Sequence, residues 1–232
     1  MKYIHFNEIE KYGYLAIQTT KQAGDMKNKF NLNKILTDLN ISENCIKGNQ
    51  KHTTNIYCIE KNKKVDIDEN EVIDGFISND TNYTLITYYA DCLPIFLLDP
   101  TKDVFGVLHG GWRGSANKIL EKGIDLMLNK YKCKLENILV CFGIGISGRN
   151  YEIKEDTVDI LKTLLTFNNM ITYKEDKIYL DTQKLNEQIA KDCGILEKNI
   201  FKNNYCTTEG DFYSYRKTHT PERMVAIITK KR

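Results

Sequence analysis

Three prolines, one tryptophan and four histidines are all that 232 residues hold of these types. So little proline leaves no proline-rich linker, and no Gly/Ser-rich or low-complexity stretch replaces it. One domain over residues 1–232 is therefore the expected organisation. No apolar run approaches the roughly 20 residues that cross a bilayer. The longest uncharged stretch, "TNYTLITYYA" at 81–90, fits a strand better. The first residues have neither an apolar signal region nor a small-residue cleavage pattern, so a cytoplasmic location is expected, with no membrane partner. Neither charge sign dominates: 33 basic and 31 acidic residues give a formal net charge of +2. That balance gives no strong reason to expect nucleic acid, and no protein partner is indicated. Cysteine is not scarce, at seven residues, but the number is odd and no CxxC pair occurs. Buried thiols in a reducing compartment are the expectation, not a disulfide framework.

Apolar segments are plentiful. Strands are expected at 13–20, 55–60, 72–78, 83–90, 94–99, 104–110, 137–143 and 223–229. Several are apolar at consecutive positions, as in sheets covered on both faces. Four stripes at helical spacing accompany them: Leu32, Ile35, Leu36 and Leu39; Leu120, Ile124, Met127, Leu128 and Tyr131, with Ser115 as the expected cap; Val158, Leu161 and Leu165; Leu185, Ile189 and Cys193. About five strands fall between the first two helices. That order argues against a doubly wound nucleotide fold and for an α/β fold with mixed sheets and outer helices.

Residues able to carry chemistry gather at strand ends. Cys92 opens one apolar run and His109 closes the next, in "ADCLPIFLLDPTKDVFGVLHGGWRGS". His52 follows a polar turn ahead of another strand, whereas His5 and His219 lie in unremarkable polar surroundings. His52, Cys92 and His109 together would make a three-ligand zinc site with one position open for water. The same cysteine and histidine would equally make a Cys–His hydrolase, with Cys92 attacking a carbonyl. Residue chemistry alone does not choose between the two.

After His109, the glycines of "HGGWRGS" permit a tight turn, and Arg113 offers a planar fork of donors for phosphate or carboxylate. A second glycine-rich segment, "CFGIGISGRNYEIKED", has G-x-G-x-x-G spacing without the strand–helix context of a dinucleotide site. It offers Arg149 for an anion and Tyr151 for stacking. Near the C-terminus Tyr205, Phe212, Tyr213 and Tyr215 cluster with Arg216, a set that can hold a planar base or simply pack.

Taken in order, "ADCLP" at 90–94, "HGGWRG" at 109–114, "FGIGISGRNYEI" at 142–153 and "CTTEGDFYSYRKTHTPERMVA" at 206–226 resemble the YfiH family of laccase-domain proteins. The resemblance implies a YfiH-like, mixed-sheet, four-layer α/β/β/α sandwich. It also implies purine nucleoside phosphorylase activity on adenosine, inosine, guanosine and 5′-methylthioadenosine, with inorganic phosphate as co-substrate and adenosine deamination as a companion reaction. The family's metal ligands fall on His52, Cys92 and His109, with zinc as the expected metal and copper as an alternative. Asp91 joins them as a catalytic candidate. Arg113, Arg149, Tyr151 and Tyr215 are the substrate-binding candidates. Two departures stand out: Thr53 replaces the glycine that follows the first histidine, and the family's N-terminal arginine–glycine loop is eroded to "AIQTTKQAGDMKN". A deamidase-type Cys–His hydrolase and a copper-dependent polyphenol oxidoreductase are the alternative activities. The second is disfavoured because four histidines supply few ligands for several coppers.

Overall fold

The computed structural model describes residues 1–41, 44–68, 70–165 and 169–231. Strand alternation sets its layers, because successive side chains leave opposite faces of a sheet. In the strand Met224–Lys230, Ala226 and Ile228 enter one apolar cluster while Val225 and Ile227 enter another. Leu93–Asp99 behaves likewise, with Phe96 and Leu98 on one side and Ile95 and Leu97 on the other. Both faces being covered, the runs read as continuously apolar.

A five-stranded sheet has the order Tyr3–His5, Tyr14–Thr19, Met224–Lys230, Thr84–Tyr89 and Cys45–Ile46. A six-stranded sheet has the order Ile200–Phe201, Leu139–Phe142, Leu93–Asp99, Val104–Gly110, Gly75–Ser78 and Ile56–Ile59. Both are mixed, mainly antiparallel with parallel pairing at edge strands. Phe76, Phe96, Phe105 and Val107 of the larger sheet meet Ala16, Leu85, Ala226 and Ile228 of the smaller one, so the two sheets pack face to face.

Helices cover the outer faces. Leu32, Ile35 and Leu36 of Lys29–Asp38 lie on Leu15, Ile17, Ile86 and Val225. Ile119–Asn129, Glu155–Leu164 and Thr182–Asp192 cover the other side through Leu120, Ile124, Val158, Leu161 and Leu185. The result is the expected α/β/β/α sandwich. A small antiparallel sheet of Glu152–Ile153, Lys177–Leu180 and Ile171–Lys174 is added at its side.

All eight expected strands are present, and all four long helices. Among the described residues six strands, not five, separate the first two long helices, because the two-residue Cys45–Ile46 strand joins the five expected. Ser115 is not the cap expected of it. It is buried inside a short helix, Trp112–Ala116, and the next helix begins after Lys118 in left-handed conformation, φ 63°, with no side-chain cap.

The site depends on one crossing. Thr84–Tyr89 belongs to the smaller sheet and Leu93–Asp99 to the larger, so residues 90–92 carry the chain between them. Asp91 makes this turn at φ 90°, a strained value for a non-glycine residue.

Candidate metal centre and active-site cleft

Cys92 leaves the crossing, His109 leaves the antiparallel neighbour strand opposite Pro94, and His52 comes from the loop ahead of Ile56–Ile59. One ligand atom from each lies within 4.8 Å of the other two. Cys92 Sγ is 3.6 Å from His52 Nε2, and the two imidazole centroids are 4.8 Å apart. Among the described residues no other group of three or more Cys, His, Asp or Glu is placed to hold a metal.

A residue that the sequence did not advertise organises this set. Asp74, fully buried, accepts hydrogen bonds from the backbone N–H groups of Lys51, His52 and Thr53 at 3.1, 2.9 and 2.8 Å. The Thr53 hydroxyl adds a fourth at 2.7 Å and His109 Nδ1 a fifth at 2.8 Å. The Asp74 backbone carbonyl also accepts from His109 N at 2.7 Å. Burial alone would raise the carboxyl, but the His109 and Thr53 hydrogen bonds outweigh it and hold Asp74 ionised, well below the usual range. An ionised acceptor at Nδ1 places the proton there and leaves His109 Nε2 for Cys92 or a metal. The only sequence signal for Asp74 is an acid inside the apolar run "VIDGFIS".

The remaining supports act on the same loop. The Gln50 amide clamps Tyr88, donating to its carbonyl at 3.0 Å and accepting from its N–H at 2.7 Å. His52 itself is held at φ 63°, where Asp74 and Gln50 on either side over-determine it. Gly111 is required by space: a Cβ there would stand 2.5 Å from His52 Cδ2 and 3.3 Å from Cys92 Sγ.

Electrostatics favour a charged pair in the metal-free state. Burial pushes the Cys92 thiol up, yet His109 and His52 draw it down to about 6. Burial pushes His109 down, yet Cys92 and Asp74 raise it to about 9. One thiolate and two imidazoles in reach of a common point suit zinc, which accepts both donor types and leaves a fourth position open. The residues present therefore fit that metal.

The triad lines a cleft of about 780 Å³, together with Arg113, Tyr151, Tyr215 and Asp91. Arg113 stacks on Trp112, 4.3 Å from its ring centroid, and Arg216 lies 4.9 Å over the Tyr151 ring. Asp91 is outside the ligand group. Its carboxylate accepts from the Thr207 hydroxyl at 2.5 Å and from Arg216 N at 2.6 Å, fastening the C-terminal loop to the cleft. Arg149 is not brought there. Its guanidinium is committed to Glu209 at 2.9 and 2.6 Å and to the Asn204 carbonyl, and it lines a separate cavity of about 420 Å³. The anion role expected of Arg149 has no support in this arrangement. Lys27, Lys51 and Arg223 also line the cleft, and no motif in the sequence marks them.

Residues 10–231 match the family described as multi-copper polyphenol oxidoreductase laccase. A purine nucleoside phosphorylase of Borreliella burgdorferi is 32% identical over 184 residues, covering 77% of this chain and 76% of its own length. The purine nucleoside phosphorylase YlmD of Bacillus subtilis is 29% identical over 163 residues, 68% of this chain and 59% of that protein. A Deinococcus radiodurans purine nucleoside phosphorylase matches at 31% over 140 residues, and the matched region spans 54% of its length. The chain thus aligns with less than two thirds of the latter two. Among solved structures, the YfiH protein of Bacillus licheniformis superposes with a TM-score of 0.86 at 20% identity, covering 99% of this chain and 97% of that one. YlmD of Geobacillus stearothermophilus superposes at 0.83 and 23% identity, covering 95% and 93%. With the ordered motifs, the four-layer sandwich and the extent of the family match, the chain belongs to the YfiH family of laccase-domain proteins.

Proposed function

We propose that the chain, acting as one catalytic domain, is a purine nucleoside phosphorylase with a companion adenosine deaminase activity, at a zinc site made by His52, Cys92 and His109. The observation that carries this reading is the His–Cys–His set opening into a cleft that also offers arginines and tyrosines. The phosphorylase names of the relatives point the same way. Zinc, when bound, would supply Lewis-acid polarisation and lower the pKa of a nearby water.

The chain's own residues do the rest. Tyr151 and Tyr215 present ring faces and edges to the purine. Arg113, fixed on Trp112, and Arg216, fixed over Tyr151, hold inorganic phosphate against C1′ by charge-assisted hydrogen bonds. Phosphate oxygen bonds to C1′ as the C1′–N9 bond breaks, and the departing base takes the proton that phosphate brings. The Asp91 carboxylate positions Arg216 by accepting from the Arg216 backbone N–H, and takes no direct part. Deamination uses the same purine seat, with water attacking C6 and ammonia leaving.

A second reading has its own observation. A thiol drawn down to about 6 beside two imidazoles is also the starting state of a cysteine nucleophile. Chromatographic product analysis with adenosine and inosine, with and without phosphate, separates the two. Phosphate-dependent base release, lost in His109→Ala, is the expected result. No nucleoside conversion by metal-replete protein, together with rapid alkylation of Cys92 that abolishes an amidase activity, would overturn it in favour of the hydrolase.

A further inference from the structure

The cleft carries more positive charge than one inorganic phosphate needs. Lys27, Lys51, Arg113, Arg216 and Arg223 all line it, against the single carboxylate of Asp91, which already accepts from the Thr207 hydroxyl and the Arg216 backbone N–H. None of the five cations has an ion-pair partner among the described residues, whereas Arg149, outside the cleft, is paired with Glu209. The chain as a whole is only +2, so the remainder is net acidic and the excess is local.

These cations come from two sides. Arg113 follows the His109 strand of the larger sheet. Arg223 stands just ahead of the Met224–Lys230 strand of the smaller sheet, and the backbone around Lys27 is fastened to it. One oxygen of Asp25 accepts from Lys27 N at 3.0 Å and from Arg223 N at 2.9 Å, and Met26 N donates to the Arg223 carbonyl at 2.9 Å. Arg223 Nη1 is further fixed by the carbonyls of Thr220 and Glu222, both at 2.9 Å. Guanidinium and ammonium groups without a carboxylate partner, gathered on a cleft wall, favour an anion. The His–Cys–His set sits at the crossing between the two sheets, so the cations flank it.

We infer that the cleft is built for a purine nucleoside bearing its own 5′-phosphate, which is seated at the Lys27–Arg223 rim while Arg113 and Arg216 hold the attacking phosphate. This names the substrate class of the proposed phosphorylase and rests on that reading for its chemistry. The reaction balances without further reactants. Inorganic phosphate bonds to C1′, the C1′–N9 bond breaks, the base leaves with the electron pair and the phosphate's proton, and ribose 1,5-bisphosphate remains.

The test is calorimetric binding of AMP, adenosine and inorganic phosphate to the zinc-loaded protein and to its Lys27→Gln and Lys27→Gln/Arg223→Gln variants, with product analysis on the same samples. AMP is expected to bind at least about tenfold more tightly than adenosine, from one or two charge-assisted hydrogen bonds. That ratio should fall towards unity in the double variant. It should shrink in the single variant too, whose exposed lysine carries no structural burden. Adenosine binding as tightly as AMP to the wild type overturns the inference. So does an AMP advantage that both variants retain, or one that inorganic phosphate alone reproduces at equal affinity. Preferred AMP binding without phosphate-dependent base release from any substrate would sink the phosphorylase reading and leave the nucleotide site standing. Cleavage of adenosine with no AMP preference would do the reverse.

Discussion

At the scale of single residues, Asp74 decides more than any ligand does, because it fixes His109 and the His52 loop at once. Its replacement by asparagine puts an amide N–H₂ where five donors converge on two oxygens, so at least one donor is left unpaired in a buried site. Loss of such a supporting carboxylate typically lowers metal affinity about 10- to 100-fold. Asp74→Asn is therefore expected to lose zinc in a chelator competition under conditions where the wild type retains it. Unchanged affinity would show that His109 needs no orienting partner.

Cys92 yields a second expectation. In metal-free protein the thiolate form persists down to about 6, since His109 and His52 outweigh the effect of burial. Alkylation should then be fast at pH 7 and fall as the pH drops through about 6, and zinc should protect. Cys133 and Cys193, pushed up to about 12 and about 11 chiefly by burial, should stay silent at that pH. An inflection nearer the ordinary thiol value of about 8.5 would mean the imidazoles do not stabilise the thiolate. Motif order made Cys92, His52 and His109 legible, because each stands at a strand end beside glycine or a polar turn. Asp74 was hidden by its apolar neighbours. Arg149 was misleading, because nothing in "SGRNYE" shows that Glu209, 60 residues on, will claim it.

Elements were legible wherever burial on one or two faces imposes a period. Both long strands of the Leu93–Asp99 and Val104–Gly110 pair are buried throughout, and the four long helices each keep an apolar stripe. The short strands at Tyr3–His5, Cys45–Ile46 and Ile171–Lys174 escaped notice because their residues are mostly half-buried or exposed and carry no such period. Helix starts were less readable. Asp181 caps Thr182–Asp192 by accepting from Lys184 N at 2.9 Å, but Ile119–Asn129 begins after Lys118 at φ 63° without a side-chain cap. Left-handed backbone costs a non-glycine residue about 1–2 kcal/mol. Glycine at 118 relieves that strain, loses an exposed ion pair to Glu121 of little worth, and adds freedom to the unfolded chain. Lys118→Gly is thus expected to be neutral to stabilising by about 1 kcal/mol in urea denaturation, against the usual sense of glycine at a helix terminus. A clear loss of stability would place Lys118 in a structural role.

The whole molecule is a clasp of two sheets, and the proposed metal would sit where the chain crosses from one to the other. Cys92 lies on that crossing, His109 ends a strand of the larger sheet, and the His52 loop is tied to the smaller one through Gln50 and Tyr88. A metal bound there would cross-link segments that are 40 and 17 residues apart in sequence, whose ligand atoms the fold brings within 4.8 Å of one another. Its stabilisation follows mass action, about 2.7 kcal/mol at a free concentration one hundred times Kd. For a chain of this size each kcal/mol moves Tm by about 2–4 °C, so chelation should lower Tm by about 5–10 °C. It should not unfold the protein, because the buried side chains that form the apolar clusters between and outside the sheets are not metal ligands, and Cys92 only packs against the edge of one of them. Small zinc-dependent domains behave otherwise and lose their structure outright. Calorimetry with and without chelator, repeated on Cys92→Ser, separates these cases. The shift should appear in the wild type and vanish in the variant. A variant that keeps the full shift would move the metal to some other part of the chain.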